Sequence, residues 1–319
     1  MNIRVVCDLD ECARLWQLVG AGALFQLWEV RLCFHEEFGH RPHFVVAEEA
    51  DRIVGLLPLS WVEELNRYAF FPGEIWHNKT WLERNRIWAV DPATLGQMFN
   101  ALDAPAAPRY LEANSIPAGF GTEEEDEIGY LFHPPQHQYD FAAYQSLFPG
   151  KTLRKFQKEI AGLEEAGVTY RYNELDDIPR MFQMNIDAFG DYSYFRDPRF
   201  LRSFERLVGF LHDHQALLTT TVLIGGRIAA IDLGGVWNNA YSVLAGGVDR
   251  QFAGVAKLIN FHHLERACAL HFDEVDFLCG DFGWKERFRL TPRPLMKISS
   301  PSVAGTLALT GETRLVEYP

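Results

Sequence analysis

Residues 216–285 read ALLTTTVLIGGRIAAIDLGGVWNNAYSVLAGGVDRQFAGVAKLINFHHLERACALHFDEVDFLCGDFGWK, and the strand and turn signals in this stretch decide the fold. Leu217–Ile224 is rich in Thr and Val, β-branched residues that suit a pleated surface. Gly225-Gly226 follows, a two-residue hairpin signal because both central positions of a type I′ turn need positive φ. Ile228–Val236 reads as the return strand. Asn238-Asn239 is the next turn, since Asn tolerates the left-handed region, and Tyr241–Val248 reads as a third strand. The period then changes. After Arg250, the apolar residues Leu258, Phe261, Leu264, Ala267 and Cys268 recur at helical spacing. A fourth strand, Glu274–Leu278, ends at Gly280-Asp281.

The turn at the helix start is Gln251, Phe252, Ala253, Gly254, Val255 and Ala256. Small residues there let a pyrophosphate approach the free backbone N–H groups, and the helix dipole favours the anion. Three antiparallel strands, a glycine-bearing turn, a helix and another strand resemble the core of the GNAT acyltransferase fold. Gln251, Gly254 and Ala256 match that superfamily's Q/R-x-x-G-x-G/A signature. A plain turn opening a helix has the same composition. The position after a three-strand meander is what favours a donor site.

Composition limits the alternatives. The chain has 319 residues, long for one domain and natural for two, and 48% hydrophobic residues, ample for a core. With 43 acidic against 30 basic residues the net charge is −13, which argues against sequence-independent nucleic-acid binding and for no DNA partner. Cys7, Cys12, Cys33, Cys268 and Cys279 read as reduced thiols of a cytoplasmic protein. The charged N-terminus resembles no export signal, and no run of about 20 apolar residues predicts a membrane span.

Taken in order, the chain opens with a strand over Ile3–Cys7 and then a helix that Asp8 or Asp10 caps. His35-Glu36-Glu37-Phe38-Gly39-His40 looks like a zinc motif, but histidines five apart lie about 500° around a helix, so no metal site is expected. His43–Ala47 and Arg52–Trp61 flank a turn at Asp51-Arg52. The pattern repeats at Leu217–Val236: apolar strand, short turn, then R-I-V-G-L or R-I-A-A-I. That recurrence predicts two copies of one domain type, 1–149 and 150–319, split at Phe148-Pro149-Gly150. The first copy lacks a glycine turn. Pro92–Leu102 is its expected helix, with Asp91 as cap, and Arg109–Glu112 its following strand. The charge run Thr122–Glu127 reads as a solvated loop and Tyr130–Asp140 as the interdomain crossing. From Lys151 to a stop at Gly167 runs an amphipathic helix with the stripe Leu153, Phe156, Ile160 and Leu163, and with Arg154 and Lys155 on a basic face, either merely solvated or facing an anionic substrate. Val168–Tyr172 is a strand. Ile178–Phe189 and Arg199–Leu211 are helices around an aromatic segment, Gly190–Pro198, whose Tyr192 and Tyr194 are expected on a cleft wall.

Asp276–Lys285, with Phe288 following, resembles the fD-f-g-x-G-x-x-x-Y-K-x-x-F block of the CelD-like and FemAB-like branch of GNAT proteins, with Trp284 where that branch has Tyr. Arg154-Lys155 resembles its K-x-R-x-x-x-R-R helix, and Ser193–Pro198 its S-x-f-x-d segment. The resemblance implies an α/β (α+β) fold: two tandem GNAT-like domains with mixed, mostly antiparallel sheets flanked by helices. It implies an acyltransferase drawing on acyl-CoA, such as acetyl-CoA, and acting on an amine or hydroxyl of a small-molecule, lipid- or sugar-linked precursor in cell-envelope or exopolysaccharide assembly. An aminoacyl transferase using charged tRNA is the second reading, disfavoured by the acidic charge. A non-catalytic envelope-assembly module is the third.

Acyl transfer needs a gripped donor, a proton acceptor and donors for the oxyanion. Backbone N–H groups near Leu244–Gly246 are expected at the oxyanion. Lys285 is the charged candidate, with Trp284 beside it among the substrate-binding residues. For the proton, Asp281 ranks ahead of Asp232. His262 and His263 read as helix residues of the core or surface, Cys279 has no evident activator, and an amine already deprotonated needs no base.

Overall fold

The computed structural model describes residues 1–20, 22–280 and 283–299. In the first half, β1 (Asn2–Val6), α1 (Leu9–Trp16) and α2 (Trp28–Phe38) precede β2 (Arg41–Glu49), β3 (Arg52–Val62) and β4 (Arg67–Phe70). The short strands β5 (Ile75–Trp76), β6 (Lys79–Thr80) and β7 (Trp88–Ala89) lead to α3 (Pro92–Asn100), β8 (Leu111–Glu112), β9 (Glu123–Phe132) and α4 (Phe141–Gln145). The second half runs α5 (Gly150–Glu164), β10 (Val168–Tyr172), α6 (Ile178–Phe189), α7 (Pro198–Asp213), β11 (Leu217–Ile224), β12 (Arg227–Trp237), β13 (Ala240–Val248), α8 (Val255–Ala269), β14 (Glu274–Cys279) and β15 (Thr291–Ile298).

Local chemistry explains many boundaries. Asp8 caps α1 by accepting from the Glu11 amide, and Asp91 caps α3 at Thr94 with Pro92 in the first turn. Gly225-Gly226 and Asn238-Asn239 all have positive φ, joining β11 to β12 and β12 to β13 as tight hairpins. Between β2 and β3 the turn residues are Ala50 and Asp51, both at positive φ, one position earlier than expected.

The smaller sheet has the order β1-β2-β3-β4, with β7 added to β3. The larger has the order β10-β11-β12-β13-β14-β9-β15-β8, antiparallel at every neighbour except β13–β14. This corrects two expectations. The acidic run is not a loop but the start of β9. Glu124 and Glu125 are exposed, yet the backbone pairs with β15, while Arg109 grips Asp126 and Lys297 pairs with Glu124. Leu111–Glu112 extends the larger sheet by pairing with Leu295 and Met296, not the sheet of the first half. Strand β15 was not anticipated because it contains Pro292 and Pro294. These are two apart, so both missing N–H groups fall on one edge, and β8 covers β15 only beyond them.

The halves share a core. Phe34 of α2 and Trp81 meet Phe200 and Phe204 of α7 with ring centroids 4.6–6.1 Å apart, and Phe182 and Phe195 close the cluster. Glu37 seals the rim with Arg202 and Arg206, each at 2.6 Å. Phe204→Ala removes a fully buried ring from both halves at once and is expected to cost about 3–5 kcal/mol. Chemical denaturation should show the midpoint falling while a single transition is kept; separate transitions for the halves would refute the shared core.

Candidate active site

The β13–β14 ladder covers only Ala240, Tyr241 and Ser242, opposite Glu274, Val275 and Asp276. On its other edge β13 is bulged. Leu233 pairs with Ala245 but Gly234 with Val243, leaving Leu244 as the extra residue. A bulge bends its strand and raises the local twist, so the ladder to β14 stops here and, among the described residues, no strand pairs with this edge of β13 from Val243 onward, a gap in the pairing. The bend depends on glycine. A Cβ on Gly246 would lie 2.1 Å from Asp232 Oδ1, and one on Gly247 2.7 Å from Met184 Cβ of α6. Asn185 Nδ2 donates to the Gly246 carbonyl at 2.8 Å, and the Ser193 hydroxyl donates to Asn185 Oδ1 at 2.8 Å.

The glycine turn lies at the surface where α8 begins. Gly254 caps the helix at φ 91°, a left-handed conformation that suits glycine. Three of the six amides expected to hold a donor are used within the turn. Gln251 N donates to Asp249 Oδ1, Phe252 N to Asp249 O and Val255 N to Phe252 O. Among the described residues, the amides of Ala253, Gly254 and Ala256 have no such partner. Arg227 braces the turn by donating to Gln251 Oε1 at 2.9 Å and lying over the Phe252 ring at 5.1 Å. A cation at a helix start opposes the dipole, and Lys257 is compensated by Glu159 of α5.

The third part of the site is the far end of β14. Leu278 has φ 58°, costly for a branched side chain, and polar groups hold it there. Its N–H donates to Asp276 Oδ1 at 2.9 Å, and the Lys285 ammonium donates to the carbonyls of Leu278 and Cys279 at 2.7 and 2.9 Å. Lys285 is 3% exposed, and burial lowers its pKa. From the first half, Glu83 accepts from the Cys279 amide at 2.6 Å, and Arg293 bridges Glu83 and Asp276. Burial, with the Asp276 charge adding, pushes the Glu83 carboxyl up to about 7. The Cys279 thiol is driven far up by burial and then by Glu83, so it is held as a thiol, not a nucleophilic thiolate.

Asp232, in mid β12, bonds His263 of α8 at 2.9 Å. Asp281 lies outside the described residues. His262 stacks on Tyr170 at 3.8 Å, away from the gap, and burial pushes it down to about 4. Arg154 and Lys155 are exposed on α5, more than two turns from Leu163, the α5 residue nearest Gly254. Tyr192 is 60% exposed. Tyr194 packs between Trp76 and Phe200, with its hydroxyl 3.4 Å from the Thr80 carbonyl. Trp284 packs edge-on against Phe277 and Phe288. A concavity of about 220 Å³ lined by Arg84, Trp237 and Glu274 lies at the closed end of β13–β14, not at the gap. Among the described residues no cluster of His, Cys, Asp and Glu has a metal-binding arrangement, and no helix is long and apolar enough to cross a membrane. Sequence reasoning missed Glu83, Asn185 and Arg293, and no local pattern marks them. In the sequence His263 looks like an ordinary helix residue of the core or surface.

Residues 150–286 match the family model described as acetyltransferase (GNAT) domain. No curated protein sequence matches the chain. Three similar solved structures each cover nearly the whole chain. FemX has TM-score 0.57 and 10% identity, covering 94% of this chain and 97% of its own. The C-terminal domain of a putative lysylphosphatidylglycerol synthetase from Agrobacterium fabrum has TM-score 0.54 and 9% identity, covering 92% and 91%. A tandem GNAT protein from the clavulanic acid biosynthesis pathway has TM-score 0.50 and 10% identity, covering 95% and 99%. The chain shares the fold of FemX and of a tandem GNAT protein.

Glu83 gives the site a testable pH signature. Its folded pKa lies above the ordinary value of 4.5, so its contribution to stability is full below that value and is lost as pH rises through about 7. Relative to Glu83→Gln, the native protein should lose stability as pH rises from about 4.5 to 7. Urea denaturation of both proteins across this range checks it, and a pH-independent difference would contradict it.

Proposed function

We propose that this chain, whose residues 150–286 match the acetyltransferase (GNAT) domain model, is an acyltransferase that moves an acyl group from acyl-CoA to an amine or hydroxyl of a small-molecule or cell-envelope precursor, exopolysaccharide precursors included. The observation that carries this reading is the turn before α8. Three unspent amides, of Ala253, Gly254 and Ala256, sit at a surface helix N-terminus, a fit for a diphosphate. Acyl-CoA supplies a thioester whose carbonyl carbon is the electrophile. The gap between β13 and β14 receives the thioester arm, and backbone N–H groups on the bulged edge, Leu244–Gly246, face the oxygen that becomes negative. The acceptor nitrogen or oxygen bonds to the carbonyl carbon, the C–S bond breaks, and the sulfur leaves with the electron pair. The acceptor's proton passes to a carboxylate or to solvent. Asp281 and Asp232 are the candidate carboxylates. Lys285 fixes the β14 side of the gap through two carbonyls and brings positive charge close to it. Trp284 and Tyr194 are the aromatic candidates for the acceptor side.

Aminoacyl transfer from tRNA is the second reading. It is favoured by the fold shared with FemX and the lysylphosphatidylglycerol synthetase domain, whose name describes a lysyl group on a lipid. The exposed Arg154 and Lys155 suit a polyanion, and the net charge of −13 opposes one. A lipid-linked acceptor is compatible with either donor, and a cytoplasmic location is the expectation for both.

Isothermal titration should detect acetyl-CoA binding that free CoA competes away. Ala256→Asp places a carboxylate where the helix dipole tolerates it but a diphosphate does not, so folding should persist while affinity falls at least about tenfold. Gly254→Trp should also abolish binding. No heat with acetyl-CoA, together with a tRNA gel shift at physiological salt, would exchange the first reading for the second.

A further inference from the structure

Beneath the bulge of β13 lies a polar chain that the transfer steps above leave mostly unused. His263 Nε2 is 2.9 Å from Asp232 Oδ2, and His263 Nδ1 is 3.4 Å from the Tyr241 hydroxyl. His263 and Tyr241 are 1% exposed and Asp232 7%. The carboxylate accepts, so His263 Nε2 carries the hydrogen of this bond, and Nδ1 faces the Tyr241 hydroxyl. Burial, with the Asp232 charge adding, raises the Tyr241 pKa and keeps it a donor. An unbonded carboxylate so deep in the protein would be expensive, and the His263 bond holds this one in place.

The chain brackets the bulge. The Tyr241 ring fills the space beside Gly234, where a Cβ would meet it at 2.3 Å, and Gly234 is the residue at which the β12–β13 register shifts. The Asp232 carboxylate fills the space beside Gly246, its cross-strand partner on β13. Leu244, the extra residue, lies between these two contacts. Asn185 holds the Gly246 carbonyl from the α6 face, so the peptide is clamped from both sides of the sheet. Two glycines and a three-residue polar chain are thus committed to the shape of one strand segment, the segment whose free edge faces the gap.

We propose that Asp232 and His263, with Tyr241, are positioning residues for the thioester: they hold the bulged Leu244–Gly246 segment so that its edge amides meet the thioester carbonyl. The inference rests on the acyl-CoA reading and assigns Asp232 a different task from proton acceptor. The pair acts through Gly246, so its loss should be felt by a ligand with a carbonyl and not by one without.

The test compares acetyl-CoA with free CoA, which keeps the diphosphate and pantetheine but lacks the carbonyl. Titration calorimetry with wild-type protein, Asp232→Asn and His263→Gln should show acetyl-CoA weakened about tenfold while CoA is unchanged. Gly246→Ala should cause the same selective loss, and far less in an Asp232→Ala background, where the clashing carboxylate is absent. Amide hydrogen exchange over residues 243–247, faster in the variants while the rest of the sheet is unchanged, reports the loosened edge even where affinity is low. Equal loss of both ligands would reduce Asp232 and His263 to general stability and overturn the proposal, as would variants that bind both normally. Wild-type protein that binds neither ligand would remove the acyl-CoA reading itself, and this inference with it.

Discussion

The structure turns on a parallel strand pair that stops after three residues. β13 and β14 share a ladder only from Ala240 to Ser242, because the extra residue Leu244 bends β13 out of register with β12. A continuous ladder would use up the edge groups of both strands. Interrupting it leaves the edge of β13 unpaired from Val243 onward, in the middle of the larger sheet. The bend is stabilised by close approaches that only glycine allows, at Gly234, Gly246 and Gly247. α6 presses on one face through Met184 and Asn185, and α8 on the other through His263.

The opposite wall of the gap is built by both halves of the chain. Leu278 sits in a left-handed conformation that its own side chain disfavours, and Asp276 and Lys285 satisfy its amide and carbonyl. Glu83 reaches in from the first half to the next amide, Cys279, and Arg293 from β15 ties Glu83 to Asp276. The first half therefore does more than fold beside the second. It supplies a buried carboxylate to the second half's β14, as well as one side of the aromatic core around Phe204. β9, which precedes Gly150, sits between β14 and β15 in the larger sheet, so that sheet needs residues from both sides of Phe148-Pro149-Gly150.

What the sequence determined by itself is local. The Gly225-Gly226 and Asn238-Asn239 hairpins, the Asp8 and Asp91 caps, the helix opening after Gly254 and the spans of β10 and α6 follow from backbone preferences and side-chain period within a few residues. Only the tertiary structure decided which distant strands pair and which polar groups meet. The acidic run of β9 and the proline-bearing β15 each look unlike a strand, and each becomes one because the other supplies its hydrogen bonds. Glu83 and Cys279 are separated by 196 positions, and Asp232 and His263 by 31 across a strand and two turns. Such pairs leave no periodic trace, since a single buried contact constrains where two residues stand in space and nothing about the residues between them.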